Sequence, residues 1–204
     1  MADVAILSAS EGNGNIFDEL YREYLEDRTL VFNAQVDDNV VEDYIMWILK
    51  WNKEDKNLPV ENRKKIKLFI TSEGGNVFSA NIMSDVIEQS KTPVVGIALD
   101  LVASAAYHIY LSCHERYAFV NSTFLQHDGE IAIQNSSKKA KDTVAFFDEG
   151  AEREKKHVLS HSSMDEKYYD DHYDDELWMY ADTAKSWGIV HKIIGVDCDI
   201  DEVF

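Results

Sequence analysis

The stretch IKLFITSEGGNVFSANIMSDVIEQ, residues 66–89, carries three signals in succession. Ile66 to Ile70 is a short apolar run that reads as a buried strand, Gly74 and Gly75 break it, and Phe78 to Gln89 places apolar residues at helical spacing. The unit then recurs. Pro93 restarts the chain and Val94 to Ala98 is a second apolar strand. Val102, Ala103, Ser104, Ala105 and Ala106 then form a small-residue stretch that opens a helix toward Cys113. Upstream, Leu30 to Phe32 is a short strand, and Asp37, Asp38 and Asn39 offer N-caps to an amphipathic helix carrying Val41, Tyr44, Ile45, Ile48 and Leu49. Strands alternating with helices predict an α/β layer fold, with ligands expected where strands deliver the chain into helix N-termini. Gly75 and Ser104 lie at two such junctions.

Further along, Tyr117 to Val120 and Thr123 to Gln126 read as two strands joined at Asn121 and Ser122. Ser136 to Ser163 is a long charged helical pattern in which Ala140, Val144, Phe147 and Ala151 make a narrow apolar stripe, so this helix should project from the core or meet another subunit. An acidic, tyrosine-rich stretch, Asp165 to Glu176, precedes a short helix, Ala181 to Trp187, that Gly188 stops, and Ile189 to Ile194 is the last strand. Ser8 to Asn15 reads as mobile ahead of a helix over Ile16 to Leu25, and the acidic tail Val196 to Phe204 reads as loose. No repeat recurs at a fixed period.

The chain has 204 residues, 45% hydrophobic and 28% charged, the profile of one packed globular domain. Its net charge of -18 would repel nucleic acid and anionic membranes. The two cysteines, Cys113 in the core and Cys198 in the tail, form neither a disulfide framework nor a metal spacing, which points to a reducing compartment, the cytoplasm. The first residues lack a basic start followed by an apolar run, and nothing approaches the roughly 20 apolar residues that span a bilayer.

Chemistry concentrates at few positions. Ser104 opens a helix among alanines, where another backbone can approach and helix N–H groups favour an anion; the commoner use of such a serine is an N-cap. Gly75 follows a buried strand and can leave its N–H facing a ligand, although a glycine pair is more often an ordinary turn. The N–H groups of Gly75 and Ala105 together could hold a developing oxyanion, each worth about 3–4 kcal/mol. His127 ends a strand and can emerge at the same edge to take a hydroxyl proton. His157 and His161 have the i, i+4 spacing of metal ligands, but the sequence shows no third ligand, so they read as solvated helix residues; His108, His114, His172 and His191 show no partner pattern.

The order of TSEGGNVFSA, DLVASAA, NSTFLQH and ADTAKSWGIVHKII resembles the proteolytic subunit of the Clp protease, over residues 17–195. That family carries Ser-Pro-Gly-Gly, then Ala-Ser-Met-Gly, then His-Gln-Pro, then a helix stopped by glycine. Here those positions read Ser72, Glu73, Gly74 and Gly75; Ala103, Ser104, Ala105 and Ala106; His127, Asp128 and Gly129; and Ala181, Ala184 and Gly188. The resemblance implies a single domain with an N-terminal arm and helix (1–25), a crotonase-like α/β head (26–127 and 164–195), a protruding helical handle (128–163) and an acidic tail (196–204). It implies a serine endopeptidase with Ser104 as nucleophile, His127 as base, and Glu176, or Asp175 with a one-residue shift, as the third member.

It also implies homo-oligomeric stacked heptameric rings that enclose the sites, unfolded polypeptide substrates, no cofactor or metal, and an AAA+ unfoldase docking at Phe69, Tyr117 and Phe119. Glu73 and Asp100 depart from the family and add negative charge near the site, unless they face solvent. These departures and the irregular acidic third position keep a second reading open, a catalytically inactive ring or regulatory paralogue. A third is an acyl-CoA-binding relative on the same fold.

Overall fold

The computed structural model describes residues 16–203. Its centre is a seven-stranded sheet built from β1 (Thr29–Phe32), β2 (Ile66–Ser72), β3 (Val94–Ala103), β4 (Glu115–Phe119), β5 (Thr123–Gln126), β6 (Leu177–Tyr180) and β7 (Lys192–Ile194). The spine runs β1-β2-β3-β4-β7, all parallel. Leu30, Ile66, Leu68, Ile70, Val94, Ala98 and Val102 are fully buried, as parallel strands covered by helices should be.

β3 has two neighbours on one edge. Val95 to Ala98 pair with β4, whereas Leu101 to Ala103 pair with β5, and β6 adds antiparallel to β5. β4 and β5 are therefore not a hairpin; the chain leaves β3 and rejoins it further along. The buried hydroxyl of Ser122 holds this departure, accepting from the Phe119 N–H at 3.0 Å and donating to the Ala98 carbonyl at 2.8 Å.

The helices are α1 (Ile16–Glu26), α2 (Met46–Glu54), α3 (Val77–Gln89), α4 (Ala105–Leu111), α5 (Ser137–His161), α6 (Glu166–Asp171) and α7 (Ala181–Ser186). The N-cap of α3 is Asn76, whose side chain accepts from the Phe78 and Ser79 N–H groups. α4 is buried at every residue, since its alanines, Tyr107, Ile109, Tyr110 and Leu111 let it lie between the sheet and the flanking helices. α2 departs from expectation. A π turn over Val41–Ile45 precedes it with no side-chain cap, and the extra residue re-phases the apolar face to Val40, Tyr44, Ile48 and Trp51, leaving Leu49 exposed.

β7 is only the end of the stretch expected as the last strand, and β6 arises from four residues, Leu177–Tyr180, between the acidic stretch and the last helix, where the sequence indicated no element. The expected mobile segment Ser8 to Asn15 lies outside the described residues. The acidic tail is ordered through Val203. A 3-10 turn at Ile200–Glu202 is closed by an Asp199–Glu202 capping box, and Cys198 and Val203 are buried against Phe69, Val95, Ile97 and Ile194 on the face of the sheet opposite the main core.

Two arginines fix the frame. Arg28 makes a bidentate pair with buried Asp55, at 2.5 and 2.8 Å, and Asp55 also accepts from the Thr92 hydroxyl at 3.1 Å. The guanidinium of Arg116 donates to the carbonyls of Leu111, Cys113, His161, Gly188 and Ile189, collecting the C-terminal ends of α4 and α5. Among the described residues no helix is long and apolar enough to cross a membrane.

Candidate active site

Ser104 sits between β3 and α4 with φ 53° and ψ −127°, one of two non-glycine residues with positive φ among those described. Such backbone costs of order 1–3 kcal/mol and persists only when its surroundings impose it. Two features do so. The Ser104 N–H donates to the Leu125 carbonyl at 2.9 Å, continuing the β3–β5 ladder, and the Ser104 carbonyl accepts from Tyr107 N–H at 2.9 Å, starting α4. Strand and helix thus meet in one residue, whose side chain is turned out of both.

The two glycines divide their work. Gly74, with φ +98°, lies directly against the serine: a β-carbon there would come within 2.7 Å of Ser104 Cβ, 2.8 Å of the Ala103 carbonyl oxygen and 3.0 Å of the Ala105 nitrogen. Gly75, with φ +147°, backs instead onto Val36, to which it forms a parallel bridge. The N–H of Gly74 is occupied by the Ser72 hydroxyl at 3.1 Å and its carbonyl by Val36 N–H at 2.8 Å. Gly75 N–H has no acceptor among the described residues, and Ala105 N–H belongs to a first helical turn that offers it no acceptor within the helix. The sequence pointed to Gly75 as a donor; that Gly74 is the residue packed on Ser104 was not visible in it.

His127 follows β5 directly and is half-buried. Because Ala103 pairs with Leu125, Ser104 and His127 leave neighbouring parallel strands at the same edge. On the other side of β5, Gln126 pairs with Leu177, so continuing the antiparallel register sets Glu176 opposite His127 and Asp175 opposite Asp128. The exposed Glu176 carboxylate accepts from the Trp178 indole N–H at 3.0 Å, and His127 has no hydrogen-bond partner among the described residues. Glu73 and Asp100 are both exposed.

Of the three apolar residues marked for docking, Phe69 is only 5% exposed and Tyr117 and Phe119 are half-buried, all in the cluster that the tail residues Cys198 and Val203 cover. They share one face, and that face is occupied by the chain's own C-terminal segment.

A cluster that sequence reasoning missed lies where α3, α4 and α5 meet. Far from being solvated, His157 and His161 share the carboxylate of Glu88, with their Nε2 atoms 3.1 and 3.4 Å from its Oε1. The His157 ring also touches the Ser112 hydroxyl at 2.9 Å, and His108 pairs with Glu154 at 2.9 Å. Burial, with neighbouring His108, His161 and Arg116, drives the His157 pKa down to about 3. The i, i+4 spacing was the available signal; Glu88, distant in sequence, was not.

The family model described as Clp protease matches residues 12–197. Similar proteins include the ATP-dependent Clp protease proteolytic subunit 2 of Corynebacterium efficiens, 23% identical over 184 residues, covering 89% of this chain and 87% of that protein. The subunit of the same name from Treponema denticola is 24% identical over 187 residues, covering 91% and 90%. Among solved structures, a mutant of the ClpP1 protein of Listeria monocytogenes superposes with a TM-score of 0.72 at 21% identity, covering 91% of this chain and 99% of that one, which shows the shared fold. By fold and by sequence over nearly its whole length, the chain belongs to the Clp protease family.

Proposed function

We propose that the chain is a serine endopeptidase subunit in which Ser104 is the nucleophile and His127 the general base. The observation that carries this reading is the backbone of Ser104: a positive-φ turn between strand and helix, pressed by Gly74, is the device that presents a nucleophilic hydroxyl outward at a sheet edge. In the reaction, His127 takes the Ser104 proton as Oγ bonds to the scissile carbonyl carbon, and the Gly75 and Ala105 N–H groups stabilise the oxyanion. The protonated imidazole then gives its proton to the leaving amine. Water attacks the acyl-enzyme by the same route, releasing the new carboxyl end and restoring Ser104.

Glu176 is the residue proposed to orient His127, favoured over Asp175 by the β5–β6 register. To do so its carboxylate must leave Trp178 and turn to the imidazole. Assembly supplies a reason for that movement, since Val144 and Phe146 on α5, at 45% and 58% exposed, are large apolar groups that a second copy would cover. The proposed particle is a pair of stacked heptameric rings that admits unfolded polypeptide, delivered by an AAA+ unfoldase. The unfoldase would engage the face of Phe69, Tyr117 and Phe119, which requires the C-terminal segment to yield it.

A second reading, an inactive ring or regulatory paralogue, is favoured by one observation, the engagement of Glu176 with Trp178 rather than with His127. Labelling by a fluorophosphonate separates the two. The endopeptidase reading expects covalent labelling that Ser104→Ala abolishes. Assembled particles that stay unlabelled, alone and with the ATPase, would establish the inactive paralogue instead.

A further inference from the structure

We infer that Glu88, His157 and His161 form a binding site for a divalent transition ion of the zinc class, which clamps the base of the long helix α5 to the end of α3. The three donor atoms, Glu88 Oε1, His157 Nε2 and His161 Nε2, all lie within 4.8 Å of one another. The two carboxylate–imidazole separations are 3.1 and 3.4 Å. Ligands on a tetrahedral zinc, with bonds of about 2.0–2.1 Å, stand about 3.3 Å apart, which both carboxylate–imidazole separations match.

Behind His161 the hydrogen bonding points the same way, whereas His157 Nε2 also meets the Ser112 hydroxyl at 2.9 Å, a contact the ion would replace. His161 Nδ1 lies 2.9 Å from the His157 carbonyl oxygen, which can only accept, and 3.0 Å from the Ser160 hydroxyl, so that nitrogen is engaged and Nε2 is the one left for an ion. That nitrogen faces a carboxylate oxygen 3.4 Å away, and a cation placed between the two would bond to both. A backbone carbonyl fixing the tautomer of a metal-bound histidine is the usual supporting arrangement. The remaining position is open to water on the solvent side, since the side chains of Glu88, His157 and His161 are 32%, 19% and 25% exposed.

The donor set selects the ion. Two imidazoles with one carboxylate suit zinc and its neighbours, whereas magnesium and calcium demand oxygen ligands. The two histidines sit on the last turns of α5 and Glu88 on the last turn of α3, so the bound ion joins the root of the projecting helix to the head. This inference is independent of the proposed peptidase activity and holds for an inactive paralogue too.

The full chain, stripped with a chelator and titrated with Zn2+ against a chromophoric competitor, should bind one ion per chain and melt at a higher temperature with Zn2+ than without. Co2+ in its place should give the visible absorption of a tetrahedral site. Glu88→Gln and His161→Gln, each checked for native circular dichroism, should each weaken Zn2+ binding about 100-fold or more and remove the Zn2+-dependent rise in melting temperature. His172→Gln, at a histidine stacked on Tyr168 away from the cluster, should bind like the parent. Equal Zn2+ affinity in parent, Glu88→Gln and His161→Gln would overturn the site, as would saturation without thermal stabilisation.

Discussion

Replacing Gly74 by alanine tests whether the conformation of Ser104 is imposed by its neighbours. The new β-carbon meets Ser104 Cβ at 2.7 Å, the Ala103 carbonyl at 2.8 Å and the Ala105 nitrogen at 3.0 Å, and two of these three are backbone atoms that cannot rotate away. Holding a side chain at φ +98° costs about 1–3 kcal/mol, and forcing a methyl into a filled space costs about 1–3 kcal/mol more. Together these make a destabilisation on the order of 4 kcal/mol, which a domain of ordinary stability survives. At roughly 2–4 °C per kcal/mol for a chain of this size, Tm should fall by roughly 8–16 °C. The strain can relax only by displacing the Ser104–Ala105 turn, so the surviving folded protein should react with a fluorophosphonate at least tenfold more slowly than the parent. Gly188→Ala is the control: its φ is +70°, but the nearest atom to a new β-carbon is 3.5 Å away, so it should cost about 1 kcal/mol and leave labelling unchanged. A Gly74→Ala protein that melts and labels like the parent would refute the idea that this glycine holds the serine in place.

Ser104→Gly should raise stability by about 1 kcal/mol in denaturant unfolding, because glycine adopts φ 53° without strain, while labelling disappears. Glu176→Gln should lower peptide hydrolysis roughly ten-thousand-fold if Glu176 orients the imidazole, with Asp175→Asn leaving the rate unchanged; the reverse pattern moves the role one residue back. Hydrogen bonds from Arg28, with that from the Thr92 hydroxyl, hold the Asp55 carboxyl below its ordinary range despite burial. Its stabilisation is therefore complete above the unfolded value of about 3.9 and is lost as pH falls through the lower folded value. Asp55→Ala, leaving Arg28 unpaired, should cost about 3–5 kcal/mol at neutral pH and flatten the acid limb of the stability profile below about pH 4.

The spine of the fold was legible because β2 and β3 are continuous apolar runs, with Gly74 and Gly75 breaking the chain after β2 and Pro93 restarting it before β3. β6 was not, since four residues beside an acidic stretch carry little periodic signal; only pairing with β5 buries Met179 and makes the strand. The tail misled for a related reason. Cys198 and Val203 are isolated among acids, and their burial follows from the second apolar face of β2 and β3, exposed unless something covers Phe69, Val95 and Ile97. Ser104, His127 and Gly75 stood out by type and order, and the register brings them to one edge. The partnership of Glu88 with two histidines depends on side-chain direction across elements, which no local pattern encodes.

The fork in β3 gives the sheet two mechanical parts. The trunk, β1 to β4 with β7, carries Ser104 at its rim, while the flap, β5 with β6, carries His127 and Glu176. In the sheet, the last residues of β3 join flap to trunk, while Phe124 and Met179 pack into the main core beneath it and the outward side chains Trp178 and Tyr180 stay 53% and 65% exposed. The three side chains proposed for catalysis therefore rest on two groups of strands, and their mutual spacing depends on that short junction and on the burial of Phe124 and Met179 beneath it.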